Sequence, residues 1–225
     1  MTPINNCIKN KDTKIKPIWL MRQAGRYLPE FREIRKSNQD FIKLCLNEKL
    51  SSEITLQPIK RFGFDAAIIF SDILMVPYGL GQQVTFEKNF GPKLGDLNLK
   101  QIENTSEEIF TKKLEPIYHL ISNTSKNDLL KSRDLIGFVG APWTILIYMI
   151  NKMSPKKKLS DDFFKDDYLI SNLINLIKKF LKIHIKNQIK AGAKIIQIFD
   201  SWAGLVDQNL DKYIYSPTLD IVEYV

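Results

Sequence analysis

Ala66-Ala67-Ile68-Ile69-Phe70-Ser71-Asp72 is an unbroken apolar run that stops on two polar residues. A strand with one wet face alternates apolar and polar; a run apolar at every position belongs to a strand buried on both faces. Leu135-Ile136-Gly137-Phe138-Val139-Gly140 repeats the pattern, and Lys194-Ile195-Ile196-Gln197-Ile198-Phe199, apolar apart from Lys194 and Gln197, reads as a further strand that again stops on polar residues, Asp200-Ser201. Ile18-Trp19-Leu20-Met21, ending at Arg22-Gln23, reads as an earlier strand of the same kind.

Helical patterns separate these runs. Residues 29–36 form a polar helix, and Asp40 to Phe62 reads as one helix with Phe41, Leu44, Ile54 and Ile59 on its apolar faces, ended or kinked late by Pro58. Thr105 to Asn123, a helix opened by Ala141-Pro142-Trp143, Phe164 to Ala191, and a last one from Leu210 to Val225 complete the series. Between Pro77 and Leu94 lies a stretch punctuated by Gly and Pro, with Val84-Thr85-Phe86 as a small hairpin arm. Buried strands alternating with helices mean a parallel sheet, open or closed into a barrel. Neither GxGxxG nor GxxxxGK[ST] follows a strand, so neither of the usual nucleotide motifs favours the open form.

Composition narrows the class. Of 225 residues 44% are hydrophobic and 26% charged, the profile of a globular protein, and no stretch is apolar for the roughly 20 residues a membrane span needs. Residues 1–16 have no apolar core of a secretory signal and read as a flexible leader to a single domain; the expected compartment is the cytoplasm. The formal charge of +8 is spread over helical lysines and the run Lys156-Lys157-Lys158, so it fits an anionic small molecule better than nucleic acid. Two cysteines, Cys7 and Cys45, and two histidines, His119 and His184, are too scattered for a disulfide framework or a metal site.

The residues with chemistry follow the apolar runs, which is where a barrel builds its site. Arg22 and Arg26 flank Gln23-Ala24-Gly25; two guanidinium forks so spaced can hold carboxylates, although plain surface arginines share the pattern. Asp72 is either the N-cap of a helix or a carboxylate at the mouth of an apolar cavity. Tyr148, in the helix after the third run, is a core tyrosine or a ligand contact, and Ser201 caps the next helix or donates to a ligand. No Ser/His/Asp set and no glycosidase-type carboxylate pair accompanies them.

Four segments together resemble the uroporphyrinogen decarboxylase family: Pro17-Ile-Trp-Leu-Met-Arg-Gln-Ala-Gly-Arg-Tyr-Leu-Pro-Glu-Phe-Arg32 and on to Arg35, Asp65 to Pro77, Gly137-Phe-Val-Gly-Ala-Pro-Trp-Thr144, and Ile198-Phe-Asp-Ser-Trp-Ala-Gly204. The resemblance implies a (β/α)₈ barrel, of which this chain carries about the first half of the strands. It implies removal of CO₂ from the four acetate arms of uroporphyrinogen III to give coproporphyrinogen III, with no cofactor and no metal, by a homodimer. It assigns Arg22, Gln23, Ala24, Gly25, Arg26, Asp72, Tyr148 and Ser201 to substrate binding, with Asp72 and Arg22 as catalytic candidates. The family's late histidine and its GN(L)DP-type loop are absent, so a truncated C-terminus is expected. A chain that binds porphyrinogen, or only dimerises, without turnover is therefore the rival reading. A zinc-dependent methyltransferase of the same fold is set aside, because no His or Cys stands after a strand.

Overall fold

The computed structural model describes residues 1–225 except 12, 13, 15, 88, 89, 156–164 and 207; the Lys156-Lys157-Lys158 run and the expected helix start at Phe164 lie outside the described residues. In chain order the elements are α1 (Pro3–Asn10), α2 (Pro29–Ser37), α3 (Phe41–Cys45), α4 (Glu48–Phe62), β1 (Ala66–Ile68), α5 (Met75–Gly79), β2 (Val84–Glu87), β3 (Gly91–Leu94), α6 (Leu99–Glu103), α7 (Glu107–Ser125), β4 (Asp134–Gly140), α8 (Pro142–Asn151), α9 (Asp167–Ala191), β5 (Ile195–Phe199) and α10 (Ser216–Val222). The sheet order is β1-β4-β5, and β1 runs parallel to β4 with Ala66 opposite Asp134 and Ile68 opposite Ile136. β5 follows β4 in the same direction, since Lys194 N bonds Leu135 O at 2.9 Å and Ala141 N bonds Phe199 O at 2.8 Å. Parallel strands joined through helices are the βα units of a (β/α)₈ barrel, of which the chain carries a part. β2 and β3 form the expected hairpin apart from this sheet.

The chain gathers into two compact units. One comprises Met1–Asp72, Glu115–Phe138 and Asn187–Gln197. Here α4 lies on β1, and Phe31 and Phe41 meet Phe70 edge to face with ring centres 5.6 and 5.7 Å apart. Gln188 of α9 is fully buried and clasps the backbone of Phe138, accepting from its N–H and donating to its carbonyl, both at 3.0 Å. A Cβ on Gly137 would stand 2.4 Å from the Gln188 Oε1, so the apolar run needs a glycine at that point. The other unit comprises Ile73–Leu114, Val139–Lys186 and Ile198–Val225. Pro142 starts α8, where its missing N–H costs nothing, and Pro142 to Met149 are all buried. Phe110 and Phe180 meet in its core, their rings tilted by 49° with centres 4.8 Å apart.

Several expectations change. Ile18–Met21 is not a strand: one rung joins it to its neighbour, Ile18 N to the Asp65 carboxylate at 2.7 Å and Asp65 N to Ile18 O at 2.9 Å. Ile18, Leu20 and Met21 are 55%, 51% and 53% exposed, unlike the buried β1 and β4; β5 is half-buried at all five positions, so the burial on both faces expected of that run is not reached. The expected helix 40–62 breaks in two at Asn47, whose side chain caps α4 by accepting from Leu50 N at 3.0 Å. Pro58 is buried within α4, and Gly63, at φ +67°, ends that helix. Residues 1–16 are not a loose leader throughout, since α1 buries Ile4 and Asn5 N donates to the Asp134 carboxylate at 3.2 Å. The last helix opens as a π turn at Asp211–Tyr215 before α10.

Candidate active site

In the first unit the arginine loop is built on Gln23. This side chain is 1% exposed and engaged at both ends: its Nε2 donates to Ala66 O at 3.0 Å and its Oε1 accepts from Leu20 N at 3.1 Å. The loop is thereby pinned to the start of β1. Two turns tighten it, Gln23 N to Leu20 O at 3.1 Å and Leu28 N to Gly25 O at 3.0 Å, and the Tyr27 hydroxyl donates to Gln23 O. Arg32 closes the far side by donating to the carbonyls of Arg26 and Tyr27 at 3.0 and 3.3 Å. α2 is tied to α4 by the two-pronged pair Arg61–Glu30, both bonds 2.9 Å, and this pairing holds the Glu30 carboxyl below its usual range. With the backbone so occupied, the side chains of Arg22 and Arg26 stand exposed and Ala24 and Gly25 half-buried. A Cβ at Gly25 would meet the Tyr27 ring at 3.6 Å and the Arg22 carbonyl at 3.8 Å, ordinary contacts both, so the chain itself does not demand glycine there.

Asp72 follows β1 and is half-buried. It is not the cap of the next helix, because α5 begins at Met75 behind Leu74 and has no side-chain cap. The path to it is fixed by Thr55 of α4, which accepts from Phe70 N at 2.8 Å while donating to Ser51 O at 2.7 Å. Burial pushes the Cys45 thiol well up, and the charge of Asp72 raises it further.

In the second unit Tyr148 is buried on α8, its ring edge-on to Trp202 at 5.9 Å and its hydroxyl 3.4 Å from the Ser154 Oγ. Ser201 is exposed in the turn after β5. It does not cap the 3₁₀ turn Ala203–Leu205, whose N-cap position is Trp202 and which has no side-chain cap. The sequence reading missed Thr144, which donates to the Asp200 Oδ1 at 2.6 Å and accepts from Trp202 N at 3.0 Å. It also missed Asp200, whose carboxyl burial pushes up while the Thr144 bond pulls partly back. Asp200 opens on a cleft of about 450 Å³ walled by Ile214, Tyr215, Leu219 and Val222. The signal available in the sequence was position alone: Asp200 ends an apolar run as Asp72 nearly does.

The histidines lie elsewhere. His119 is a surface residue 3.0 Å from Glu48, and His184 is buried on α9, with Phe110 edge-on, its pKa lowered to about 3 by burial. No group of His, Cys, Asp and Glu among the described residues is arranged to hold a metal ion. None of their helices is long and apolar enough to cross a membrane.

The family model described as Uroporphyrinogen decarboxylase (URO-D) matches residues 1–225. The uroporphyrinogen decarboxylase of Rickettsia bellii (strain RML369-C) is 44% identical over 228 residues, covering 100% of this chain and 66% of that protein. That of Chelativorans sp. (strain BNC1) is 42% identical over 212 residues, covering 93% and 62%. The chain thus spans just under two thirds of the length of the relatives it matches. Among solved structures, a methyltransferase from Methanosarcina mazei superposes with a TM-score of 0.77 at 14% identity, over 99% of this chain and 66% of that one, a likeness of fold alone.

Proposed function

Because the chain belongs to the uroporphyrinogen decarboxylase family, we propose that it carries the substrate-binding and proton-handling groups of an enzyme that decarboxylates the four acetate arms of uroporphyrinogen III. The observation that carries this reading is the arginine loop. Two exposed guanidiniums, Arg22 and Arg26, are held out from a backbone that Gln23 locks to the strand leading to Asp72. The substrate is a polycarboxylate with pyrrole N–H groups. Guanidinium forks suit its carboxylates, and a fixed carboxylate suits its N–H donors.

The chemistry asks for the same groups. When the bond from the acetate CH₂ to its carboxylate breaks, CO₂ leaves and an electron pair stays behind. A pyrrole protonated on a ring carbon accepts that pair. Protonation of the exocyclic carbon and loss of the ring proton then give the methyl group and restore the pyrrole. Asp72 stabilises the ring cation at the moment it forms, and a dipole or charge already in place serves better there than water that must reorganise. Arg22 steers the departing carboxylate or, in the second of its two candidate roles, relays the proton. Arg26 grips a second acid arm. Tyr148 and Ser201 contact the substrate through their hydroxyls. Gln23 serves by holding the loop, since both ends of its carboxamide are occupied. No organic cofactor or metal enters this scheme. We further read the protein as a single-domain, cytoplasmic homodimer, which rests on the family resemblance.

Asp72→Asn tests the assignment. It keeps the size and the hydrogen-bonding oxygen and removes the charge, so turnover of uroporphyrinogen III falls about 100- to 1,000-fold while substrate binding persists. Turnover within a few fold of the unsubstituted protein would remove Asp72 from the reaction.

A further inference from the structure

Resting on the decarboxylase reading, we propose that Thr144 is a positioning residue: its single buried hydroxyl sets where Ser201 stands toward the substrate. Thr144 is 0% exposed in the first turn of α8. Its Oγ1 donates to the Asp200 carboxylate at 2.6 Å and accepts the Trp202 amide at 3.0 Å, so one atom grips both neighbours of Ser201. The residue before it adds a third tie, the Trp143 Nε1 donating to Trp202 O at 3.1 Å. A fourth lies at the strand end, where Ala141 N donates to Phe199 O at 2.8 Å. From Phe199 to Trp202 the chain is therefore sewn to Ala141–Thr144, and Ser201 is the residue this stitching turns outward, exposed. One turn along α8, Tyr148 braces the same Trp202 with its ring. Two hydroxyls proposed to meet one substrate thus take their spacing from the start of α8. A valine at 144 has nearly the same shape and neither bond, so the loop loses two of its four ties.

The test compares Thr144→Val with Thr144→Ser, which keeps the hydroxyl, in two measurements. Amide hydrogen exchange reads the clamp without any substrate: the Trp202 amide of the Val variant exchanges at least tenfold faster, while the Ala141 amide keeps its rate. Steady-state decarboxylation of uroporphyrinogen III reads the consequence: KM rises about tenfold in the Val variant with kcat changed less, and the Ser variant recovers it. Should the Val variant not fold, Asp200→Ala removes one of the two Thr144 bonds and is read the same way, with a smaller rise in KM. An unchanged Trp202 exchange rate, or faster exchange with an unaltered KM, overturns the proposal while leaving the decarboxylase reading intact. An unsubstituted protein that neither binds nor converts uroporphyrinogen III overturns the decarboxylase reading itself and the substrate role of Thr144 with it.

Discussion

Gln23→Met removes the fastening of the arginine loop while nearly preserving side-chain volume. Two hydrogen bonds go, one to Ala66 O and one from Leu20 N. Each contributes on the order of 1 kcal/mol net. Their partners fare differently. Leu20 is 51% exposed, so water can reach its amide, whereas Ala66 is fully buried and its carbonyl loses the Gln23 donor where water does not readily replace it. An unmet buried group adds about 1 kcal/mol or more, which brings the loss to roughly 2–3 kcal/mol. For a chain of this length that lowers the melting temperature by roughly 5–10 °C and leaves the protein folded at room temperature. The functional consequence is separate. With the loop unfastened, Arg22 and Arg26 must be ordered by the substrate itself, so KM for uroporphyrinogen III rises by on the order of tenfold and the melting shift produced by substrate shrinks. Thermal unfolding with and without substrate, alongside initial rates, reads both effects. A variant that melts with the unsubstituted protein would show that the two bonds contribute nothing. One that melts early yet keeps its KM would show that the loop does not position the arginines for substrate.

Arg26→Ala removes a proposed carboxylate clamp, and KM should rise by roughly 10- to 100-fold with a smaller change in kcat; an unaltered KM would exclude that contact. His184 predicts an acid-side instability. Burial lowers its pKa from 6.5 to about 3, so the unfolded chain binds the extra proton between those values and stability falls as pH drops through that window, by up to about 1.4 kcal/mol per pH unit. His184→Gln should flatten this slope between pH 6 and 4 in denaturant titrations, and equal slopes for the two proteins would show that His184 is not held neutral. Paired acids such as Asp220, held low by Lys182 and Lys178, titrate in both proteins, so the difference between the two slopes isolates the histidine.

The sequence carried the sheet because a run such as Leu135–Gly140 is short, apolar at every position and bounded by turn residues, the pattern of a strand covered on both faces. It misled at Ile18–Met21, which is as apolar but has three of its four residues more than half exposed and one rung of pairing; composition does not say what lies beside a segment. The break at Asn47 was visible in principle as a capping residue, yet the apolar spacing on both sides masked it. The arginine loop and Asp72 stood out as candidates because they directly follow apolar runs, the place where a barrel builds its site. Gln23 and Thr144 were not legible as supports. Their work is done by bonds to Ala66, Asp200 and Trp202, residues distant in the chain that only folding brings near. Ser201 and Asp72 looked equally like helix caps, and the start of α5 behind Leu74 and of the 3₁₀ turn behind Trp202 removes that alternative.

The most direct measurement is anaerobic incubation of the purified protein with uroporphyrinogen III, followed by oxidation of the products and their separation by carboxyl number. The account predicts porphyrins with seven, six, five and finally four carboxyl groups, all formed about 100- to 1,000-fold more slowly by Asp72→Asn. A folded protein that binds the substrate and returns only the eight-carboxyl porphyrin would contradict it.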